Sequence, residues 1–154
     1  MKLLLCAVNA KYIHSNLAVY SLKSYGEQAA RENGWEVKLK EYTINHYQDD
    51  ILQDIYSEKA DVVVFSCYIW NMTMIYDICE DLKLAAPQTE IWLGGPEVSY
   101  DGEKVLGSHS EISLVMSGEG EKTFAELLAG KAKKQIPGIA YRKDGVVLEN
   151  PVAE

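Results

Sequence analysis

In Asp61-Val62-Val63-Val64-Phe65-Ser66 four apolar side chains follow one another without a polar break. Successive side chains of a strand point to opposite faces, so both faces of this one must be covered. Such a strand belongs inside a parallel sheet, where neighbours are joined by helical crossovers. Helical spacing is present on both flanks: Tyr47, Ile51 and Ile55 precede the strand, and Met72, Ile75, Cys79, Leu82 and Ala86 follow it until Pro87 ends the run. Further out, residues 2–8 and 90–93 are two more apolar strands, and residues 112–116 a fifth. Trp35, Val37 and Leu39 alternate with Glu36, Lys38 and Lys40, the half-exposed pattern of an edge strand. Ala18, Leu22, Tyr25 and Ala29 recur at helical spacing between a cap at Ser15 or Asn16 and the stop at Asn33-Gly34. Phe124, Leu127 and Leu128 line a last helix closed by Gly130, and residues 102–107 are a short helix or a loop.

The alternation predicts an α/β fold: an open parallel five-stranded sheet of flavodoxin-like or Rossmann-like type, order 2-1-3-4-5, with the edge-like strand outermost. Residues 139–142 and 146–148 flank Asp144-Gly145, a C-terminal β-hairpin signal. Division into an α/β domain at 1–134 and a hairpin with linker at 135–154 follows.

A chain of 154 residues, 47% hydrophobic and 25% charged, is long enough for one core. Its net charge of −8 and its single basic cluster, Lys131-Ala132-Lys133-Lys134, argue against a nucleic-acid partner. Cys6, Cys67 and Cys79 are odd in number and widely spaced, which suits reduced thiols and a cytoplasmic location. The apolar start is shorter than a signal sequence core, and no run approaches the about 18 residues of a membrane span.

In such sheets ligands bind beyond the carboxyl ends of the strands, around the switch point between strands one and three. Four polar turns fall there: residues 9–14, Ser66-Cys67-Tyr68-Ile69-Trp70-Asn71, Gly94-Gly95-Pro96-Glu97-Val98-Ser99, and Ser117-Gly118-Glu119-Gly120-Glu121. Bare backbone at Gly94 and Gly95 would let a planar ligand approach the main chain. The first turn has no glycine, so the dinucleotide fingerprint is missing, and no Gly-x-x-x-x-Gly-Lys-[Ser/Thr] occurs. His14, His46 and His109 are scattered without a zinc motif. Cys67 could meet His14 as thiol and base, although a small buried cysteine is the plainer reading. Tyr68 and Trp70 are either buried under a neighbouring loop or offered to a large apolar ligand. No catalytic residue is assigned.

Together the motifs Asp61-x-Val63-x-Phe65-Ser66 leading to Asn71, Ile91-x-Leu93-Gly94-Gly95-Pro96-x-x-Ser99, Gly118-Glu119-Gly120-Glu121-x-x-Phe124-x-x-Leu127 and Ile136-Pro137-Gly138-Ile139-Ala140-Tyr141 resemble the N-terminal cobalamin-binding domain of B12-dependent radical SAM proteins. The resemblance implies a corrin lying across the strand ends with its nucleotide tail running toward the sheet. It places Ser66, Tyr68, Trp70 and Asn71 under the ring, Gly94, Gly95, Pro96, Glu97 and Ser99 around the tail, and Ser117, Gly118, Glu119, Gly120 and Glu121 along the ring edge. Tyr12 and His14 join them from the first turn. The Asp-x-His-x-x-Gly signature of histidine-ligated cobalamin domains is absent around His14, so no metal ligand is assigned, and cobalt's lower face is left to water or to Tyr68, Ile69 or Trp70. Nor is there a Cys-x-x-x-Cys-x-x-Cys. The likeness therefore implies a piece of a longer enzyme performing methyl transfer or a rearrangement. S-adenosylmethionine and the [4Fe–4S] cluster would sit in a missing C-terminal radical SAM domain, the expected partner beside cobalamin. The alternatives are a flavodoxin-like electron carrier holding flavin mononucleotide and a ligand-free receiver or interaction domain. The first wants a Ser/Thr/Gly-rich opening loop, and the second an acidic cluster after strand one.

Overall fold

The computed structural model describes residues 1–10, 17–118 and 120–152, with Leu17 and Ala18 described by backbone alone. Along the chain run β1 (Lys2–Asn9), α1 (Leu17–Glu32), β2 (Glu36–Thr43), α2 (Gln48–Ser57), β3 (Val62–Ser66), α3 (Met72–Ala85), β4 (Glu90–Gly94), α4 (Gly102–Ser108), β5 (Leu114–Met116), α5 (Glu121–Leu128), β6 (Ile139–Lys143) and β7 (Val146–Glu149). All strands join one sheet in the order β2-β1-β3-β4-β5-β6-β7. The first five are parallel, in the predicted order, with β2 at the edge. The capping residues foreseen for α1, Ser15 and Asn16, lie outside the described residues.

β3 owes its central place to its side chains, all of them buried. Val63 lies level with Leu4 on one side and Ile91 on the other. The period-two alternation then sorts the sheet into two cores. Leu4, Cys6, Val63, Phe65, Ile91 and Leu93 meet Ile51 and Ile55 of α2, Ile75 and Ile78 of α3, and Val105 and Leu106 of α4. Leu3, Leu5, Val62, Val64, Trp92 and Met116 meet Val19 and Leu22 of α1 and Phe124 and Leu128 of α5. Each aliphatic side chain taken from water contributes about 1.5–3 kcal/mol before the entropy of ordering is charged against it.

The C-terminal hairpin extends the same sheet. β6 runs antiparallel to β5, pairing Val115 with Ala140, and β7 runs antiparallel to β6. Its turn has φ of 52° at Asp144 and 78° at Gly145, the left-handed pair that a two-residue hairpin needs. The sheet is therefore mixed. Residues 102–107, left open between helix and loop, are helical in α4; the fifth strand is shorter than expected, and β2 longer.

At the β2 side Glu58 receives Lys2, Lys38 and Lys40 at 2.8, 2.7 and 3.2 Å. Hydrogen bonds from Lys2 and then Lys38 bring its carboxyl down to about 2. Lysines on an edge strand also discourage pairing with a foreign strand. Among the described residues no helix is long and apolar enough to cross a membrane.

Candidate functional site

At the carboxyl edge of the sheet, a cleft of about 320 Å³ opens between α1 and the start of α5. Its floor is Val64, Phe65 and Ser66 at the end of β3, Gly94 at the end of β4 and Met116 at the end of β5. Val19 and Leu22 form one wall; Gly95, Pro96, Ser99, Gly118, Gly120 and Glu121 form the rim, with Tyr68 beside them. The cleft thus stands over β3, β4 and β5, displaced from the expected junction of strands one and three. The turn that follows β1 there, residues 11–16, lies outside the described residues, as do the assigned Tyr12 and His14, and Glu119 of the last turn.

The two glycine turns are built differently. Gly95 has φ of 101°, and a Cβ there would stand 2.6 Å from the carbonyl oxygen and 2.7 Å from the amide nitrogen of Cys67. Backbone contacts seal the same junction: Cys67 N–H donates to Gly94 O at 2.7 Å, and Glu97 N–H to Cys67 O at 3.2 Å. The missing side chain at Gly95 therefore makes room for the protein's own main chain, while the residue still borders the cleft. At Gly94 a Cβ would meet Met116 Cε at 3.3 Å. Gly118 is the opposite case: with φ of 75°, its absent Cβ has no atom of the described residues within 4 Å. Gly120, at φ of 82°, has only Leu22 and Met116 side-chain atoms at 3.7–4.0 Å. Bare, accessible backbone thus belongs to the second turn.

Ser99 joins the turns. Its hydroxyl accepts from Gly118 N–H at 2.9 Å and stands 3.5 Å from Gly118 O. Glu121 is tied to α1 by Ser21, whose hydroxyl donates to it at 3.2 Å. Ser117 accepts from Tyr100 N–H through its hydroxyl at 3.4 Å, and Glu97 is exposed; neither lines the cleft.

Asn71 is buried, and its amide is consumed within the protein: it donates to Val8 O and Ser66 O at 3.0 and 3.2 Å and accepts from Tyr68 N–H at 2.8 Å. It braces the turn after β3 from below. On that turn Tyr68 and Trp70 stack at 4.5 Å with planes 6° apart, while Ile69 is 80% exposed. These aromatics form a flat, half-open platform beside the cleft. Cys67 is fully buried, and burial pushes its thiol far above the ordinary range, so it is packing and not a nucleophile. Val19, Leu22, Val64 and Met116 were not foreseen at the site. Each reads as a core position, and only their place at strand ends and at the start of α1 distinguishes them.

An open α/β sheet with a largely apolar, glycine-rimmed cleft at its carboxyl edge defines a domain that binds a small organic ligand. The chain belongs to the B12 binding domain family, whose model matches residues 4–128. It is 28% identical over 101 residues to the cobalamin-dependent radical SAM methyltransferase TokK of Streptomyces tokunonensis, covering 62% of this chain and 15% of that protein. It is 29% identical over 87 residues to the 2-(S-pantetheinyl)-carbapenam-3-carboxylate methyltransferase of Streptantibioticus cattleyicolor, covering 53% and 13%. The chain therefore spans about a seventh of these relatives' length. In structure it superposes on the cobalamin-dependent S-adenosylmethionine radical enzyme OxsB, solved with aqua-cobalamin and S-adenosylmethionine bound, with a TM-score of 0.75 at 18% identity, over 99% of this chain and 22% of that one. That likeness is one of fold.

Proposed function

We propose that the chain is the cobalamin-binding module of a radical SAM methyltransferase and does not catalyse the reaction alone. The observation that carries this is the open backbone of Gly118 and Gly120 on the rim of a mainly apolar cleft in a chain of the B12 binding domain family. The residues fit the cofactor. A cleft of about 320 Å³ is at the small end of ligand pockets, enough for one arm of a large molecule but not for a corrin. In this reading Leu22, Met116, Gly118 and Gly120 would hold the nucleotide tail, and Ser66 and Ser99 would offer it hydroxyls. The stacked Tyr68 and Trp70 beside the cleft would hold the ring by their apolar faces. Bound cobalamin supplies a cobalt centre able to carry a methyl group. The protein's own part is to hold, orient and shield that cofactor.

Methyl transfer is preferred to rearrangement because the two relatives described above are methyltransferases. The catalytic radical SAM domain, with its cluster and S-adenosylmethionine, is then a partner beyond residues 135–154, which carry the hairpin and the approach to it. Three buried free thiols support a cytoplasmic location.

The test is to mix the purified chain with hydroxocobalamin, desalt it and record the absorption spectrum. Stoichiometric retention of the corrin bands is expected, with no cleavage of S-adenosylmethionine. Loss of all colour on desalting, or equal retention of flavin mononucleotide, would overturn the proposal.

A further inference from the structure

A second group of polar side chains stands at the opposite, amino-terminal edge of the sheet. Glu80 of α3 and His109 and Glu111, in the segment between α4 and β5, bring one ligand atom each to within 4.8 Å of one another. We infer that these three residues form a binding site for a divalent transition-metal ion of the zinc type, joining α3 to the α4–β5 segment.

Glu111 carries the inference. Its side chain is 11% exposed, and its Oε1 atom is shut off from solvent yet accepts no hydrogen bond. Buried carboxylate oxygens are ordinarily satisfied, and an ion shared with the neighbouring His109 ring would satisfy this one. His109 Nδ1 lies 3.3 Å from that same oxygen, without hydrogen-bond geometry. Two ligand atoms on a tetrahedral zinc, each about 2.0–2.1 Å from the ion, stand about 3.3–3.4 Å apart. The observed spacing is therefore that of neighbouring ligands on one ion. Glu80, exposed on α3, brings a carboxylate oxygen to within 4.8 Å of the other two as the third ligand.

The remaining surroundings are those of a prepared site. The His109 ring is stacked on Tyr76 at 3.7 Å with planes 6° apart, which fixes its orientation. Arg142 of β6 pins the segment from beneath, its Nη2 donating to Leu106 O, His109 O and Ile112 O at 3.0, 3.4 and 3.0 Å. Lys83, the nearby cation, gives its ammonium to Thr89 O at 2.8 Å. An opening beside Glu80 and Glu111 leaves room for water at a fourth position. One imidazole with two carboxylates suits zinc over magnesium or calcium, which take oxygen ligands alone. The bound ion would clamp a helix to a strand entry far from the cofactor cleft.

The experiment titrates untagged, chelator-treated full chain with Zn²⁺ and with Co²⁺, the latter followed by its visible d–d absorption. One saturating equivalent with tetrahedral cobalt bands is expected, together with a rise in Tm that chelator reverses. Glu111→Gln, which keeps the shape of the side chain, and His109→Ala should each weaken binding by more than the roughly 10- to 100-fold that an outer-shell partner contributes. His46→Ala should leave it unchanged. Absence of saturable uptake by the parent chain, or undiminished uptake by folded Glu111→Gln, would overturn the site. The Tm rise is read on the parent alone, so it decides the matter even where a variant folds poorly.

Discussion

Gly94-Gly95 and Gly118-x-Gly120 close successive strands of one sheet and border the same cleft, yet their glycines serve different ends. At Gly95 the space of a side chain is occupied by the backbone of Cys67; at Gly118, on the rim of the cleft, no atom of the described residues occupies it. A glycine in sequence marks a position where a Cβ is unwelcome, and it does not say what is doing the excluding. Neighbouring strands decide that. The first turn is a seam of the protein, and the second leaves its backbone open at the rim of the cleft.

The largest effect should follow from Gly95→Ala. A Cβ at 2.6 Å from a carbonyl oxygen, on a residue with φ of 101°, can be relieved only by separating the ends of β3 and β4. We expect a loss of about 3 kcal/mol or more in urea unfolding, with cobalamin retention falling only in proportion to the folded fraction. A stable variant that had lost cobalamin selectively would reverse the roles of the two turns.

Gly118→Leu should behave the other way. The left-handed backbone costs a side chain about 1–2 kcal/mol, but its Cβ meets no atom of the described residues within 4 Å. Cobalamin retention by the folded protein should fall by about tenfold or more, equivalent to roughly 1.4 kcal/mol of binding. Equal retention by variant and parent would mean that the open backbone is not a ligand surface.

Ser99→Ala tests the link between the turns. Its hydroxyl is the acceptor for Gly118 N–H, so removal should cost about 1 kcal/mol of stability and loosen the second turn more than the first. Hydrogen exchange at the Gly118 amide against that of Cys67 reads the difference directly; equal acceleration at both would show one mechanical unit.

The smallest effect is remote and calibrates the others. Glu58 has its carboxyl held at about 2, below the ordinary 4.5, chiefly by its hydrogen bond from Lys2. A depressed carboxyl stabilises the fold above pH 4.5, and that stability drains away as pH falls from 4.5 toward 2. Glu58→Gln should flatten the acid limb of the stability curve while leaving both turns and cobalamin retention at pH 7 unchanged. An unaltered acid limb would show that the lysine cluster does not couple to folding.

Much of this molecule was legible from its residues. The unbroken apolar run 62–65 demanded cover on both faces, alternation in residues 35–40 marked β2 as an edge, and Asp144-Gly145 specified its own turn, because strand period and backbone preference are local properties. The strand order followed from the edge-like second strand and the buried third, and the edge that carries the cleft from the crevice such sheets leave at the carboxyl ends of their strands. Only the tertiary structure decided the rest. It joined the hairpin to β5, consumed the Asn71 amide and buried the Cys67 thiol inside the protein, filled the space at Gly95, and recruited Leu22 and Met116 from core-like positions to wall the cleft. It also brought Glu80 to His109 and Glu111 across a gap in the chain that no spacing rule spans. These outcomes depend on which atoms fill which volume once distant segments meet, and a linear pattern of residue types carries no record of that volume.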